Sequence, residues 1–378
     1  MPMNVQSSQP RLGRRLLLQA GAAGLAAPML MRSNMAHAQD KLAGRGEVVV
    51  FSFGGSYTQS MRKNVYEPFT KATGITVVDV TADFSEPQTR AMFQSGRVDW
   101  DISIPQAYAY PAMRDAGMFL PIDYSLWDAE SIEGTPQSAR MDTAVVKYGS
   151  GTVLVYDTRA FPQGGPKNWV DFWNVKDFSG SRSLLGAHPK HNFAFALSAD
   201  GLPNSERWPM TDDKIDRALR KLDQIRPNIT KWWTAGGEPP QLLMNREIAV
   251  ASCYDGRALA LIRQGAPLRI VWEGGYISNS LWTVLKGGPN TQNAQKFVAF
   301  VNRASIAAAQ TLGLGYPGPN TNQLKYIPPD VIPLLSIASE NAPKIVVEDS
   351  AWLATKQADG KTNFDHMQER WLAWRTKT

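Results

Sequence analysis

The sequence predicts an α/β protein of two lobes, each a mainly parallel sheet flanked by helices. Three observations carry that expectation. The first hundred residues after an N-terminal leader alternate short β-branched runs with amphipathic stretches at helical spacing. A second block of the same kind follows a strand-like run at residues 149–157, GSGTVLVYD. The chain of 378 residues is also longer than one core usually serves, and it shows no internal repeat and no low-complexity linker. Two lobes joined by strands fit better than two separate beads.

Residues 47–53 are an apolar run of strand length, after which Gly54-Gly55-Ser56 turns the chain into a helix. Met61, Val65 and Phe69 recur on one face of that helix and Gly74 stops it. Residues 75–80 form the next strand. Glu86-Pro87 opens a second helix, with proline in its first turn, and Gly96 ends it. Residues 98–104 read as a third strand and 106–116 as a helix. In the second block, a Trp/Phe-rich turn at 169–173 precedes a strand at 182–185. Helices near 212–225 and 239–245, a strand at 247–252, a helix near 256–264 and a strand at 268–272 complete it. After 276–285 a helix carries Ala294, Phe297, Val298 and Val301 on one face. The Gly/Pro-rich segment 313–319 breaks the pattern, and a helix at 364–374 closes the chain.

Residues 1–38 read as an export signal, cleaved near Ala38. Arg14-Arg15 precede Leu16-Leu17-Leu18, a mild apolar stretch runs to Met31, and Ala36-His37-Ala38 offers a cleavage site. The arginine pair, with Gly21 and Gly24 in the apolar stretch, resembles a twin-arginine signal; Gly13 and Gln19 depart from that motif, so the general secretion route stays open. The stretch is short for a membrane span, and a periplasmic, soluble mature chain is expected. The formal charge is +6, but the leader holds four arginines and no acid. Without it 36 basic residues face 34 acidic ones, so nucleic acid is not an expected partner. Cys253 is the only cysteine, which excludes an intrachain disulfide and lipidation at the cleavage site. Ala249, Val250 and Ala251 place it at a buried strand end.

Several motifs point to chemistry and are better read as structure. Gly313-Leu-Gly315-Tyr-Pro-Gly318 matches a dinucleotide fingerprint, yet a helical stretch precedes it and Pro317 and Pro319 remove backbone donors. It reads as a structured turn, and no cofactor is expected. Ser60-Met-Arg-Lys63 has the spacing of an activated serine without its partner motifs. His188 and His191, separated by Pro189, lack a third ligand nearby, so no metal is expected. As neutral hydrogen-bonding groups at a helix start, they suit the wall of a cleft.

The turn at Gly54-Gly55-Ser56 lies at a strand's carboxyl end, where glycines admit a ligand close to the backbone and helix-start amides favour negative charge. Tyr57, Tyr108, Tyr110, Tyr254, Tyr316 and Trp352 fall at strand ends or in loops, as aromatics do in a cleft that sandwiches a small solute.

Four stretches carry a resemblance over nearly the whole mature chain: YEPFTKATGITV (66–77), VDWDISIPQAYAYPAM (98–113), YDGRALALIRQGAPLRIVWEGG (254–275) and LGYPGPN (314–320). Together they resemble the spermidine/putrescine-binding branch of the family 1 extracellular solute-binding proteins, the periplasmic receptors of ABC importers. The resemblance implies a two-lobe periplasmic-binding-protein fold of type II-like topology, with no catalytic residues. One lobe would comprise 46–153 and 278–323, the other 154–277 and 324–378, with crossings near 153–156, 277–279 and 323. Ligand would bind in the cleft and the lobes would close by hinge motion. The implied partners are a small-molecule solute and a cognate inner-membrane permease, and the implied state is a monomer. By position, Tyr57, Tyr108, Tyr254 and Tyr316 match cleft aromatics, and Ser56 and Gln106, with Gly55 in the turn, match small polar contacts.

The departures bear on the ligand. Where polyamine receptors hold ammonium groups with carboxylates, this chain has His188, His191 and Asn279. A desolvated diammonium would lose its counter-charges there. Lys190 and Arg257, with the 54–56 turn, point instead to an anionic group, while Asp255 remains for one amine. The expected ligand is a small polar organic solute, anionic or zwitterionic. A true polyamine binder is the alternative. A secreted hydrolase, dependent on Ser60 or His188, and a ferric-ion receptor, for which no adjacent tyrosine pair exists, rank below both.

Overall fold

A computed structural model describes residues 41–376. The expectations for the leader lie outside the described residues. The strands are β1 (Glu47–Ser52), β2 (Thr76–Thr81), β3 (Ile102–Ser103), β4 (Val145–Asp157), β5 (Arg182–Leu185), β6 (Ile229–Trp233), β7 (Val250–Tyr254), β8 (Leu268–Val284) and β9 (Val346–Val347). Hydrogen bonding follows the order β2-β1-β3-β8-β4-β7-β5-β6, with β9 also on β8. The outer pairs, β1 with β2 and β3 and β5 with β6 and β7, are parallel. The central pairs β3–β8, β4–β8 and β4–β7 are antiparallel. Each parallel end needs helical crossovers and therefore covers its faces with helices; the antiparallel centre is where the two lobes join.

Separate apolar cores define the lobes. Val48, Val50, Phe51, Met61, Val65, Phe69, Phe297 and Val298 pack in the first. Leu154, Trp169, Phe193, Leu222 and Trp371 pack in the second. Strands β4 and β8 serve both: Tyr148 and Trp282 lie in the first core, Leu154 and Tyr276 in the second. Their pairing runs from Val145↔Trp282 to Asp157↔Leu268 with a break between Thr152 and Leu154, where residues 272–275 bulge opposite Val153. Gly274, at φ +69°, makes that bulge, and its carbonyl accepts a hydrogen bond from Trp169 Nε1 at 2.9 Å. The strand expected at 268–272 thus continues through the bulge to Val284 as one bent strand.

The first helix forms as three successive segments, Gly55–Met61, a π-helical turn Arg62–Tyr66 and Glu67–Thr73, closed by left-handed Gly74. Met61, Val65 and Phe69 are all fully buried, as their spacing requires. The third strand is shorter than expected. Asp101 interrupts it, because its buried carboxylate accepts from Val49 N of β1 at 2.7 Å, taking a donor that a longer ladder would have used, and is held there by Asn290 N at 2.5 Å. The helix expected from 106 begins only at Tyr110 (Tyr110–Asp115), since Pro111 fits only a first turn. Residues 169–173 form a short helix capped by the Asn168 side chain. The helix Pro189–Ala199 is buried on almost every side, so it carries little amphipathic signal. Among the described residues, no single helix is long and apolar enough to cross a membrane.

Candidate ligand site between the lobes

At one end of the interface, Gly54 and Gly55 adopt φ of +73° and +53°, taking the chain from β1 into the first helix. Exposed Ser56 at the helix start accepts a hydrogen bond from Arg257 Nη1 on the second lobe. Beneath it lies a group of tyrosines. Tyr57 is edge-on to Phe53 with centroids 5.1 Å apart, and its hydroxyl lies 3.4 Å from that of Tyr148. The Tyr148 ring stands 5.2 Å from Tyr316, and Tyr254 packs on Trp233 at 5.2 Å. Burial pushes the hydroxyls of Tyr57 and Tyr316 well above the usual tyrosine range, and for Tyr316 the charge of Asp255 adds to it.

Asp255 opens the helix Asp255–Ile262 and is fully buried. Its Oδ1 accepts from Gly256 N at 2.8 Å and Gly151 N at 3.1 Å. Its Oδ2 has no hydrogen-bond partner among the described residues. Burial raises the carboxyl to about 8, against the opposing pull of those two backbone donors. Arg257, half-buried, follows on the same helical turn. This end therefore presents a carboxyl oxygen without a partner among the described residues, a guanidinium and aromatic walls from both lobes.

At the other end, Tyr108 of the first lobe packs against Phe364 of the second, the rings tilted by 32° with centroids 4.3 Å apart. His188 immediately precedes the helix Pro189–Ala199, and its ring meets Phe84 at 5.6 Å, again across the lobes. His191 is buried against the Tyr276 ring at 4.8 Å. Burial, reinforced by the charge of Lys190, holds His188 down at about 4 and His191 well below the normal histidine range, so both rings are neutral at pH 7. Neither Nδ1 has a hydrogen-bond partner among the described residues. Lys190 differs from its expected role. Its ammonium is buried, paired with Glu348 Oε2 at 2.5 Å and bonded to Ser278 Oγ at 3.3 Å. It is neutralised within the protein and offers no free charge to an anion.

Strand β8 links the two ends. Gln106 Nε2 donates to Ser280 Oγ at 3.1 Å, and the Asn279 carbonyl accepts from Ala107 N at 2.9 Å. Asn279 pairs with Gly149 on β4, where an added Cβ would come within 3.2 Å of Asn279 Oδ1. Trp352 sits further out, 5.6 Å from Trp208, which in turn faces Tyr276 at 6.3 Å. Tyr110 is turned away: its hydroxyl pairs with Thr143 at 2.6 Å and its ring stacks on Phe119. Cys253 is buried in β7. Ser60 Oγ accepts from Asn64 Nδ2 at 3.1 Å on the first helix. Gly315 caps the helix Ala304–Leu314, so the glycine-rich 313–318 segment is a helix terminus and turn. Among the described residues no cluster of three or more His, Cys, Asp or Glu is placed to hold a metal.

Sequence reading missed Tyr148, Tyr276, Ser278, Glu348 and Phe364. The two tyrosines and the serine lie on the crossing strands, where alternation along β4 and β8 was available as a signal. Glu348 sits in an irregular segment with no periodicity to mark it.

Two lobes sharing a pair of crossing strands, with aromatic and charged side chains meeting from both sides, define a hinged solute-binding protein. The chain belongs to the bacterial extracellular solute-binding proteins, whose family model matches residues 64–331. It is similar to the gamma-aminobutyric acid-binding protein of Pseudomonas aeruginosa, at 30% identity over 86% of this chain and 90% of that one. It is also similar to the spermidine/putrescine-binding periplasmic protein of Salmonella typhimurium, at 26% identity over 84% of this chain and 87% of that one. Among solved structures, an ABC transporter protein from Rhodopseudomonas palustris aligns with a TM-score of 0.79 at 29% identity, covering 87% of this chain and 99% of that chain. The protein is accordingly the solute-binding component of an ABC importer, which implies export and a cognate permease, and it is not an enzyme.

Proposed function

We propose that the protein captures a small zwitterionic solute, with one amine and one carboxylate on a short chain, between its lobes and delivers it to the permease. The observation that carries this reading is the buried Asp255 Oδ2, without a partner among the described residues, on the same helical turn as Arg257. A buried carboxyl oxygen left unpaired is costly unless a ligand satisfies it, and an ammonium does so best. Arg257, bonded to Ser56 at the 54–56 turn, supplies the complementary cation for a carboxylate. Tyr57, Tyr254 and Tyr316 form the walls, Gln106 and Asn279 lie between the two ends, Tyr108, His188 and His191 line the far end and Trp352 backs it. The lobes divide as the crossings of β4 and β8 suggest, the working unit is a monomer, and the leader is removed near Ala38.

Similarity to a γ-aminobutyrate-binding protein at higher identity than to polyamine-binding ones supports this choice. Calorimetry with γ-aminobutyrate, other ω-amino acids, putrescine, spermidine and dicarboxylates tests it. An ω-amino acid is expected to bind with a change in tryptophan fluorescence as the lobes close. Tighter binding of putrescine or spermidine than of every ω-amino acid would overturn the proposal.

A further inference from the structure

We propose that Lys190 is a built-in ammonium: it fills a cation site at the far end of the cleft and so restricts the protein to solutes with a single amine. The inference rests on the zwitterion reading above and adds the device that rejects diamines.

The surroundings of Lys190 Nζ are those of an alkylammonium receptor. Glu348 Oε2 lies at 2.5 Å, Ser278 Oγ at 3.3 Å, and the centroid of the Tyr108 ring at 4.4 Å. A carboxylate, a hydroxyl and an aromatic face are the groups that recognise a primary ammonium. The site is also built. Glu348 Oε2 accepts in addition from Tyr276 Oη at 3.1 Å and Ser278 Oγ at 2.8 Å, and its Oε1 accepts from Ser350 Oγ at 2.8 Å. The Lys190 and Glu348 side chains are only 3% and 1% exposed. Tyr108 belongs to the first lobe and Lys190 to the second, so the ammonium stands at the surface where the lobes meet. His188 and His191 beside it are neutral at pH 7 and add no charge.

The far end is therefore electrically balanced by a cation the protein carries itself. A diamine anchored by one ammonium at Asp255 would bring its second into a place where Glu348 is already paired and Lys190 repels it. A zwitterion presents no second cation and meets no such penalty. Removing the lysine side chain would leave Glu348 buried and unpaired, and an exogenous alkylammonium would then replace what was lost.

The test uses the full mature chain with Lys190→Ala and with the double variant Lys190→Met/Glu348→Gln, the probes being n-butylammonium, n-butanol, putrescine and γ-aminobutyrate. Lys190→Ala is expected to gain at least about tenfold in putrescine affinity over wild type. Its melting temperature should rise with millimolar n-butylammonium and not with n-butanol, whereas the double variant should show neither effect. If Lys190→Ala does not fold in plain buffer, recovery of its native circular dichroism in n-butylammonium supports the proposal. A folded Lys190→Ala with no gain for putrescine, or an unfolded one that n-butylammonium does not restore, overturns it. Failure of wild type to bind any ω-amino acid would instead overturn the parent reading, because the n-butylammonium response reports on the Lys190 site alone.

Discussion

Gly256 of the second lobe and Gly315 of the first meet backbone to backbone. A Cβ on Gly256 would stand 2.1 Å from the Leu314 carbonyl oxygen, and one on Gly315 would stand 2.6 Å from Gly256 Cα. This contact seats the helix of Asp255 and Arg257 against the loop of Tyr316, and so fixes the spacing of three proposed ligand contacts. Gly315 is in addition left-handed, at φ +77°. Gly256→Ala is expected to cost about 2 kcal/mol or more in urea unfolding, because backbone on both sides leaves nowhere for a methyl to go. The variant should also lose solute affinity. Gly237→Ala, at an ordinary negative φ with open space around it, is the control for a glycine replaced without a clash.

Solute binding should release a proton. Asp255 is raised to about 8, so it is mostly protonated in the free protein at pH 6.5, and it must ionise to hold an ammonium. Affinity for an amine-bearing solute is expected to rise with pH, approaching ~10-fold per unit well below pH 8 and levelling off above it. Calorimetry in buffers of different ionisation enthalpy checks the proton count. Asp255→Asn should bind weakly with no pH slope. In the free protein the sign is opposite: a carboxyl raised from its unfolded value of 3.8 contributes stability below that value and loses it as pH climbs toward 8.

Most of the fold was legible because its signals are local. Met61, Val65 and Phe69 announced the first helix by spacing, and Gly74, Gly96 and the 313–319 segment marked its ends and others. Lengths failed where a distant side chain decided them: Asp101 shortened β3, and the strand expected at 268–272 runs on past the Gly274 bulge, braced by Trp169, to Val284. The same division runs through the site. Ser56, Tyr57 and Tyr316 are marked by a turn and by strand ends or loops, Asp255 and Arg257 by the departures from the family pattern, and all five assemble at one end. Lys190 was identified as a cation, but its neutralisation by Glu348, 158 positions away in sequence, is a tertiary fact that no local pattern encodes.

Arg257 is expected to serve the ligand more than the fold. It is half-buried and bonds Ser56 across the lobes, the kind of contact worth at most about 1 kcal/mol to stability. Arg257→Ala should therefore melt within a few degrees of wild type while losing ~100-fold or more in affinity for an ω-amino acid. Arg257→Lys should recover only part of it, since an ammonium cannot grip a carboxylate with two parallel donors. A large melting shift with unchanged affinity would assign Arg257 to the lobe contact instead.

Acid should weaken the protein through its two cleft histidines. His188 is held down at about 4 and His191 well below the usual histidine range, in both cases by burial first and by Lys190 second. A histidine depressed in the folded state contributes stability that is complete above its unfolded value of 6.5 and is lost as pH falls through its folded value. The relevant window for His188 is thus pH 6.5 down to 4, and the shift corresponds to at most about 3 kcal/mol, reached only at its acid end. Charging either ring would place a cation beside the Lys190 ammonium, which Glu348 alone cannot balance. Urea unfolding at pH 7.5, 5.5 and 4.5 should show the decline, and His188→Gln should flatten it while leaving stability at pH 7.5 within ~1 kcal/mol of wild type. Carboxylates elsewhere also titrate on the way down, so the comparison that counts is the difference in slope between wild type and variant. Parallel slopes would mean that His188 is hydrated enough to charge freely, and the neutral lining of the far end would then have to come from His191 and the Lys190–Glu348 pair alone.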